Sequence, residues 1–147
     1  MFKSIVVPID IAQPSSWKSA LPEAIELARA SRGTIAVITV VRDIRAMLEG
    51  IHFPFQVEIM MSKSREKLAE IVSRYRDGGV ALEEEVRFGS IGHEILTAAR
   101  ERKADLILMA SHQPGLRDYL IGPNAAHIAH HADCSVLVLR RMEEGRP

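Results

Sequence analysis

The spacing of apolar residues changes period along the chain, and each change marks an element. Ile5-Val6-Val7-Pro8-Ile9 is an unbroken apolar run closed by Asp10, the pattern of a strand buried on both faces of a parallel sheet. Trp17, Ala20, Leu21, Ala24, Ile25 and Ala28 then step by threes and fours, which describes one helix face with Ser15 or Ser16 as N-cap. Pro22 has no amide hydrogen, so this helix should either start late, near Ser19, or kink. Gly33 ends it, and Thr34 to Val41 reads as a second, central strand.

From Arg42 to Gln56 periodicity disappears, and the stretch carries Gly50, His52, Phe53, Pro54 and Phe55. Such a long connection suits a cover over a site or a contact with a partner. Helical spacing returns at Val57, Met61, Ser64, Leu68, Ile71 and Tyr75 and stops at Gly78-Gly79. Val80, Leu82, Val86 and Phe88 fall on one face of a third strand and Glu83 and Glu85 on the other, a half-exposed pattern suited to a sheet edge that Gly89 and Ser90 close. Ile91, Ile95, Ala98 and Ala99 form a third helical stripe, and Leu106 to Ala110 a fourth buried strand. A short helix from about Asn124 to His131 leads to a fifth strand, Ser135 to Arg140.

Strands and helices thus alternate throughout, and right-handed crossovers turn that order into an α/β doubly wound, five-stranded parallel sheet, order 3-2-1-4-5, with helices on both faces. The chain reverses between strands one and four. Ligands of such sheets sit outside the carboxyl ends at that switch point, where Asp10 and Ala110-Ser111-His112 fall.

Composition narrows the function. A chain of 147 residues with 47% hydrophobic and 26% charged residues is long enough for one core and too short for two ordinary domains. Residues 1–141 are read as that domain and 142–147 as a loose tail. Nineteen basic residues balance nineteen acidic ones, so no net field concentrates nucleic acid or an anionic membrane, and neither is expected as a partner. The single cysteine, Cys134, forms no internal disulfide. No apolar run reaches membrane-spanning length, and a cytoplasmic location follows by default.

The segment from Met109-Ala110-Ser111-His112-Gln113-Pro114-Gly115 to Gly122-Pro123-Asn124-Ala125-Ala126 runs from the fourth strand into the last helix. Backbone amides at such a turn and helix start can meet phosphate oxygens. Gly122 permits close approach and Asn124 can cap. Equally, Gly122 can serve only a tight turn and Asn124 only the helix.

Ile5-Val6-Val7-Pro8-Ile9-Asp10, Met109-Ala110-Ser111-His112 and Gly122-Pro123-Asn124-Ala125-Ala126, closed by Cys134-Ser135-Val136-Leu137-Val138-Leu139-Arg140, together resemble the universal stress protein family from Met1 to about Arg141. The resemblance implies a Rossmann-like domain, a homodimer, and a stress-response role with bound ATP or another adenine nucleotide, with or without Mg²⁺. Carried over by position, it puts adenine near Asp10 and Val40, with Pro8 and Ile9 among the nucleotide-binding positions and Met109 and Ala110 beside the nucleotide. Ser111, His112, Arg117, Gly122, Pro123 and Asn124 fall on the phosphate side. Val136, Leu137, Val138 and Leu139 would pair two copies.

ATP-binding members carry G-x2-G-x9-G-S/T after the fourth strand, and this chain departs from it. Ala110 and Gln113 stand at the first two glycines, eight residues separate Gln113 from Gly122, and Pro123 replaces the Ser or Thr. Gln113 adds bulk where backbone should approach phosphate, and Pro123 removes an N–H and a hydroxyl. The adenine side is intact and the phosphate side altered. This marks a subgroup with a variant motif.

Other chemistries are poorly supported. Asp10 resembles the first carboxylate of a response-regulator receiver, but the third strand ends in Phe88-Gly89 rather than aspartate and the fifth carries no lysine at its carboxyl end. Asp10 can equally cap the turn that follows. His127 and His131 have a spacing able to present two imidazoles to one ion, yet no third ligand is evident, so a solvated or interface helix face is favoured and no metal site is expected. Cys134 reads as a small core residue. No catalytic motif assembles: the phosphate-loop lysine and the nucleophile elbow are absent, so an enzyme is not expected. A weak ATPase or autokinase would have Ser111 and His112 as first suspects. A nucleotide-free interaction protein, binding through Arg42 to Gln56, is the alternative.

Overall fold

The computed structural model describes residues 1–44, 54–111 and 123–140. Strands β1 (Ser4–Pro8), β2 (Thr34–Arg42), β3 (Leu82–Gly89), β4 (Leu106–Ala110) and β5 (Ser135–Leu139) form one parallel sheet in the order β3-β2-β1-β4-β5. Helices α1 (Ala20–Ser31), α2 (Pro54–Ser73), α3 (Ile91–Glu101) and α4 (Pro123–His131) alternate with the strands. This is the doubly wound sheet that the sequence predicts.

Each face of the sheet has its own aliphatic core. Ile5, Val7 and Ile9 point into one, with Leu21 and Ile25 of α1 and Leu68 and Ile71 of α2. Val6 points into the other, with Ile95 of α3, Ile107 of β4 and Ile128 of α4. Both faces of β1 are therefore buried, which explains why its sequence shows no polar alternation.

Local chemistry shifts several boundaries. Neither Ser15 nor Ser16 caps α1, because Pro14–Ser16 forms a separate 3₁₀ turn and α1 begins after Ser19. Pro22 is then the third helical residue, where its missing N–H forfeits no intrahelical bond. The late start is the correct alternative. At the other end Arg32, not Gly33, adopts the left-handed conformation (φ 56°). Gly33 serves for room: an added Cβ would lie 2.6 Å from the Phe2 carbonyl oxygen.

The connection predicted for Arg42 to Gln56 is shorter, since β2 includes Arg42 and α2 begins at Pro54. Pro54, read as part of the connection, is here a helix starter. Residues 45–53 lie outside the described residues, as does the tail from 141. Val80 precedes β3 instead of belonging to it. Asn124 is the second residue of α4, so it does not cap that helix, and Arg140 falls beyond β5. Cys134 is half-buried against the α3 side of the core.

Candidate functional site

The sheet opens where β1 and β4 part. Their pairing covers only Ile5↔Leu106 and Val6↔Ile107, whereas β1 stays paired with β2 as far as Pro8↔Ile38 and β4 with β5 as far as Ala110↔Leu139. Val7 and Pro8 on one side and Leu108 to Ala110 on the other thus flank a gap at the carboxyl ends, the switch point of the topology.

Backbone alternation equips one wall of this gap. Thr34 donates to the Lys3 carbonyl and the Ile38 carbonyl accepts from Ile9 (2.9 Å each), so even-numbered β2 residues turn their backbone groups toward β1. Ile9 to Ile38 is the last rung. Val40, two residues on, directs its N–H and C=O the same way but past the end of β1. A neighbouring donor and acceptor facing a crevice suit the edge of a nucleobase.

Asp10 begins the loop over the gap, and this loop is tightly tied. Its carboxylate Oδ1 accepts from the Ala12 amide (2.9 Å), and its own amide donates to the Ser16 hydroxyl oxygen (2.9 Å). That hydroxyl's proton is shared between the carbonyls of Gln13 (2.8 Å) and Asp10 (3.0 Å). Asp10 therefore does cap its turn, as the plainer reading holds, while its side chain stays exposed. Ser16, nearly buried at 7% exposure, organises the loop, and the 3₁₀ turn that carries it packs against β4. Sequence reasoning missed this role. A serine six residues after Asp10, just past Pro14, was the available signal.

The predicted site residues are only partly brought together. Pro8, Ile9, Asp10, Val40, Met109, Ala110 and Ser111 all lie at the carboxyl ends of the central strands. Met109 is buried at 6% exposure against the α3 side of the core, so it forms floor, not an exposed contact. Ser111 donates its amide to the Leu139 carbonyl (2.7 Å). Pro123 and Asn124 occupy the first turn of α4. His112, Gln113, Arg117 and Gly122 lie outside the described residues.

A cavity of about 230 Å³ lies at the opposite, amino end of β4, among Leu96, Ala99, Ala104, Ile107, Ala132 and Cys134. It is remote from the crevice. Burial, then the Asp105 and Asp133 carboxylates, push the Cys134 thiol up from its ordinary value, so it remains neutral at pH 7. Among the described residues no three His, Cys, Asp or Glu side chains gather as a metal site, and no helix is long and apolar enough to cross a membrane.

Comparison with known proteins agrees with the fold and the motifs. The pattern of the universal stress protein family matches residues 1–140. Universal stress protein G of Shigella flexneri is 30% identical over 144 residues, covering 95% of this chain and all of that protein. Among solved structures, a universal stress protein in complex with cAMP superposes with TM-score 0.69 at 22% identity over 95% of this chain and 97% of its own. A universal stress protein family member of Arabidopsis thaliana with AMP bound gives TM-score 0.65 at 19% identity over 99% and 95%. The doubly wound sheet with its switch-point crevice defines a Rossmann-like α/β domain. The chain belongs to the universal stress protein family.

Proposed function

We propose that this protein is a stress-response module that binds ATP or another adenine nucleotide in the crevice between β1 and β4, and that it acts as a cytoplasmic homodimer. The observation that carries the reading is the Val40 backbone pair directed past the last rung into that crevice, beside the fixed Asp10 loop. Family members holding cAMP and AMP share the fold, which supports an adenine ligand. On the phosphate side, Pro123 offers no amide, so Asn124 and Ala125 supply the first amides of α4. His112, Arg117 and Gly122 complete that side in this reading, with Mg²⁺ accompanying the phosphates where more than one is bound. Signalling by occupancy, rather than turnover, is the proposed mode; among the described residues no nucleophile with a base is assembled around Asp10 and Ser111.

Thermal-shift measurement with ATP, ADP, AMP and cAMP tests this, alongside mass spectrometry of the purified protein for carried-over ligand. A stabilisation of about 2.7 kcal/mol is expected when ligand exceeds its dissociation constant a hundredfold. Val40→Pro, which removes the outward N–H, should abolish the shift. No shift with any of the four at millimolar concentration would instead favour the nucleotide-free interaction protein.

A further inference from the structure

Away from the crevice, α4 carries three exposed imidazoles, His127, His130 and His131. His127 and His131 stand one turn apart on the same helix face, with ring centroids 4.5 Å apart and planes inclined by 50°. His130 meets His131 edge-on at 4.7 Å. We propose that His127 and His131 form a two-imidazole site for a divalent transition-metal ion of the Cu²⁺, Ni²⁺ or Zn²⁺ class.

The spacing is what two ligands of one ion require. Metal to imidazole nitrogen bonds of about 2.0–2.1 Å bring the two rings close together, and a helix holds positions i and i+4 side by side without backbone movement. Packing fixes one ligand in advance. Buried Gly92 lets α3 approach so closely that the His127 Cδ2 atom lies 2.5 Å from where a Cβ would sit. The Cδ2 edge of that ring is turned to α3, leaving Nδ1 on the edge away from it. A side chain locked by packing is a better ligand than one that must be ordered on binding.

Chemistry selects the ion. Neutral imidazoles suit borderline metals and not Mg²⁺ or Ca²⁺. No third His, Cys, Asp or Glu among the described residues joins the pair, so water fills the remaining positions, an arrangement tetragonal Cu²⁺ tolerates best. The nearby carboxylate of Asp133 pairs with Arg100 (2.8 Å). Sequence spacing alone favoured a solvated helix face; the ring separation and the Gly92 seat are what shift the balance.

Untagged full-length protein tests the site. It should be retained on Ni²⁺-charged resin, and titration with Cu²⁺ should give a nitrogen-ligated electron paramagnetic resonance signal that saturates at one ion per chain. His127→Ala and His131→Ala should each weaken Cu²⁺ binding by more than the roughly 10- to 100-fold that losing a mere supporting residue costs. His130→Ala should bind as the wild type does, and His130→Ala and His131→Ala should leave the melting curve without metal unchanged. Cu²⁺ binding that survives both His127→Ala and His131→Ala, or that falls equally with His130→Ala, would overturn the proposal.

Discussion

Among the described residues β3 and β5 are the two edge strands of the sheet, and they treat that position in opposite ways. On β3, Arg76 reaches across to donate to the Leu82 carbonyl (2.9 Å) and pairs with Glu84 (2.9 Å), covering the first outward-facing acceptor. On the α3 side, Arg87 binds Glu85 (2.6 Å), Glu94 (3.0 Å) and Glu101 (3.0 Å), and Arg102 binds Glu83 and Glu85. Charge encloses this edge. Ser-Val-Leu-Val-Leu of β5 carries no charge, and its valines and leucines pack into both cores. Because the Leu139 carbonyl accepts from Ser111 of β4, Val136 and Val138 turn their backbone groups outward. One edge is guarded against pairing by charge, and the other carries no such guard.

The largest effect should come from Val138→Pro. It removes an outward N–H while sparing the β4 ladder, and should convert the proposed dimer to a monomer by size exclusion with light scattering. A wild-type protein that is monomeric at every concentration would remove the basis of the contrast. Next is Arg87→Ala on the guarded edge, which takes the partner from Glu94 and Glu101 at a site 16% exposed while Glu85 keeps Arg102. A loss of about 2–3 kcal/mol in urea unfolding, with oligomeric state unchanged, is expected.

The smallest effect is a pH dependence. Burial alone would raise the Glu85 carboxyl, but hydrogen bonds and charge from Arg102 and Arg87 outweigh it and hold it below its usual value. Its folded value lies below its unfolded one, so the stabilisation is fully present above the ordinary glutamate range. It is lost as pH falls through the lowered value. Melting temperature should decline on that acid side, and less steeply in Arg102→Ala.

Where one strand or helix decides its own fate, the sequence was readable. β1 and β4 announced burial on both faces, and α1 and α3 announced one apolar face each. What escaped depends on contacts distant in the chain or on a residue with two uses. Ser16 looked like a helix cap because serine caps helices, yet its hydroxyl is taken by the backbone of Asp10 and Gln13. Arg87 gave no signal in the sequence, since Glu94 and Glu101 come to it only when α3 packs. Pro54 looked like part of a loop because the same fixed φ both breaks helices and begins them. At the site, Asp10 and Val40 were legible as strand ends. That Val40 faces the crevice depends on register, which only the paired strands reveal.

The start of the chain is clasped from far along it. Lys3 and Ser4 donate their amides to the Asp105 carboxylate across separations of 102 and 101 residues, and Thr34 donates to the Lys3 carbonyl. The central strand is therefore made before the other strands of its sheet and is among the last to be satisfied. During synthesis β1 can borrow β2 early, but its β4 side stays open until more than a hundred residues have been made. An apolar strand held waiting in that way is exposed to wrong partners. Its shortness, five residues from Ser4 to Pro8, and the proline that ends it limit how long a mistaken ladder it can form during that interval.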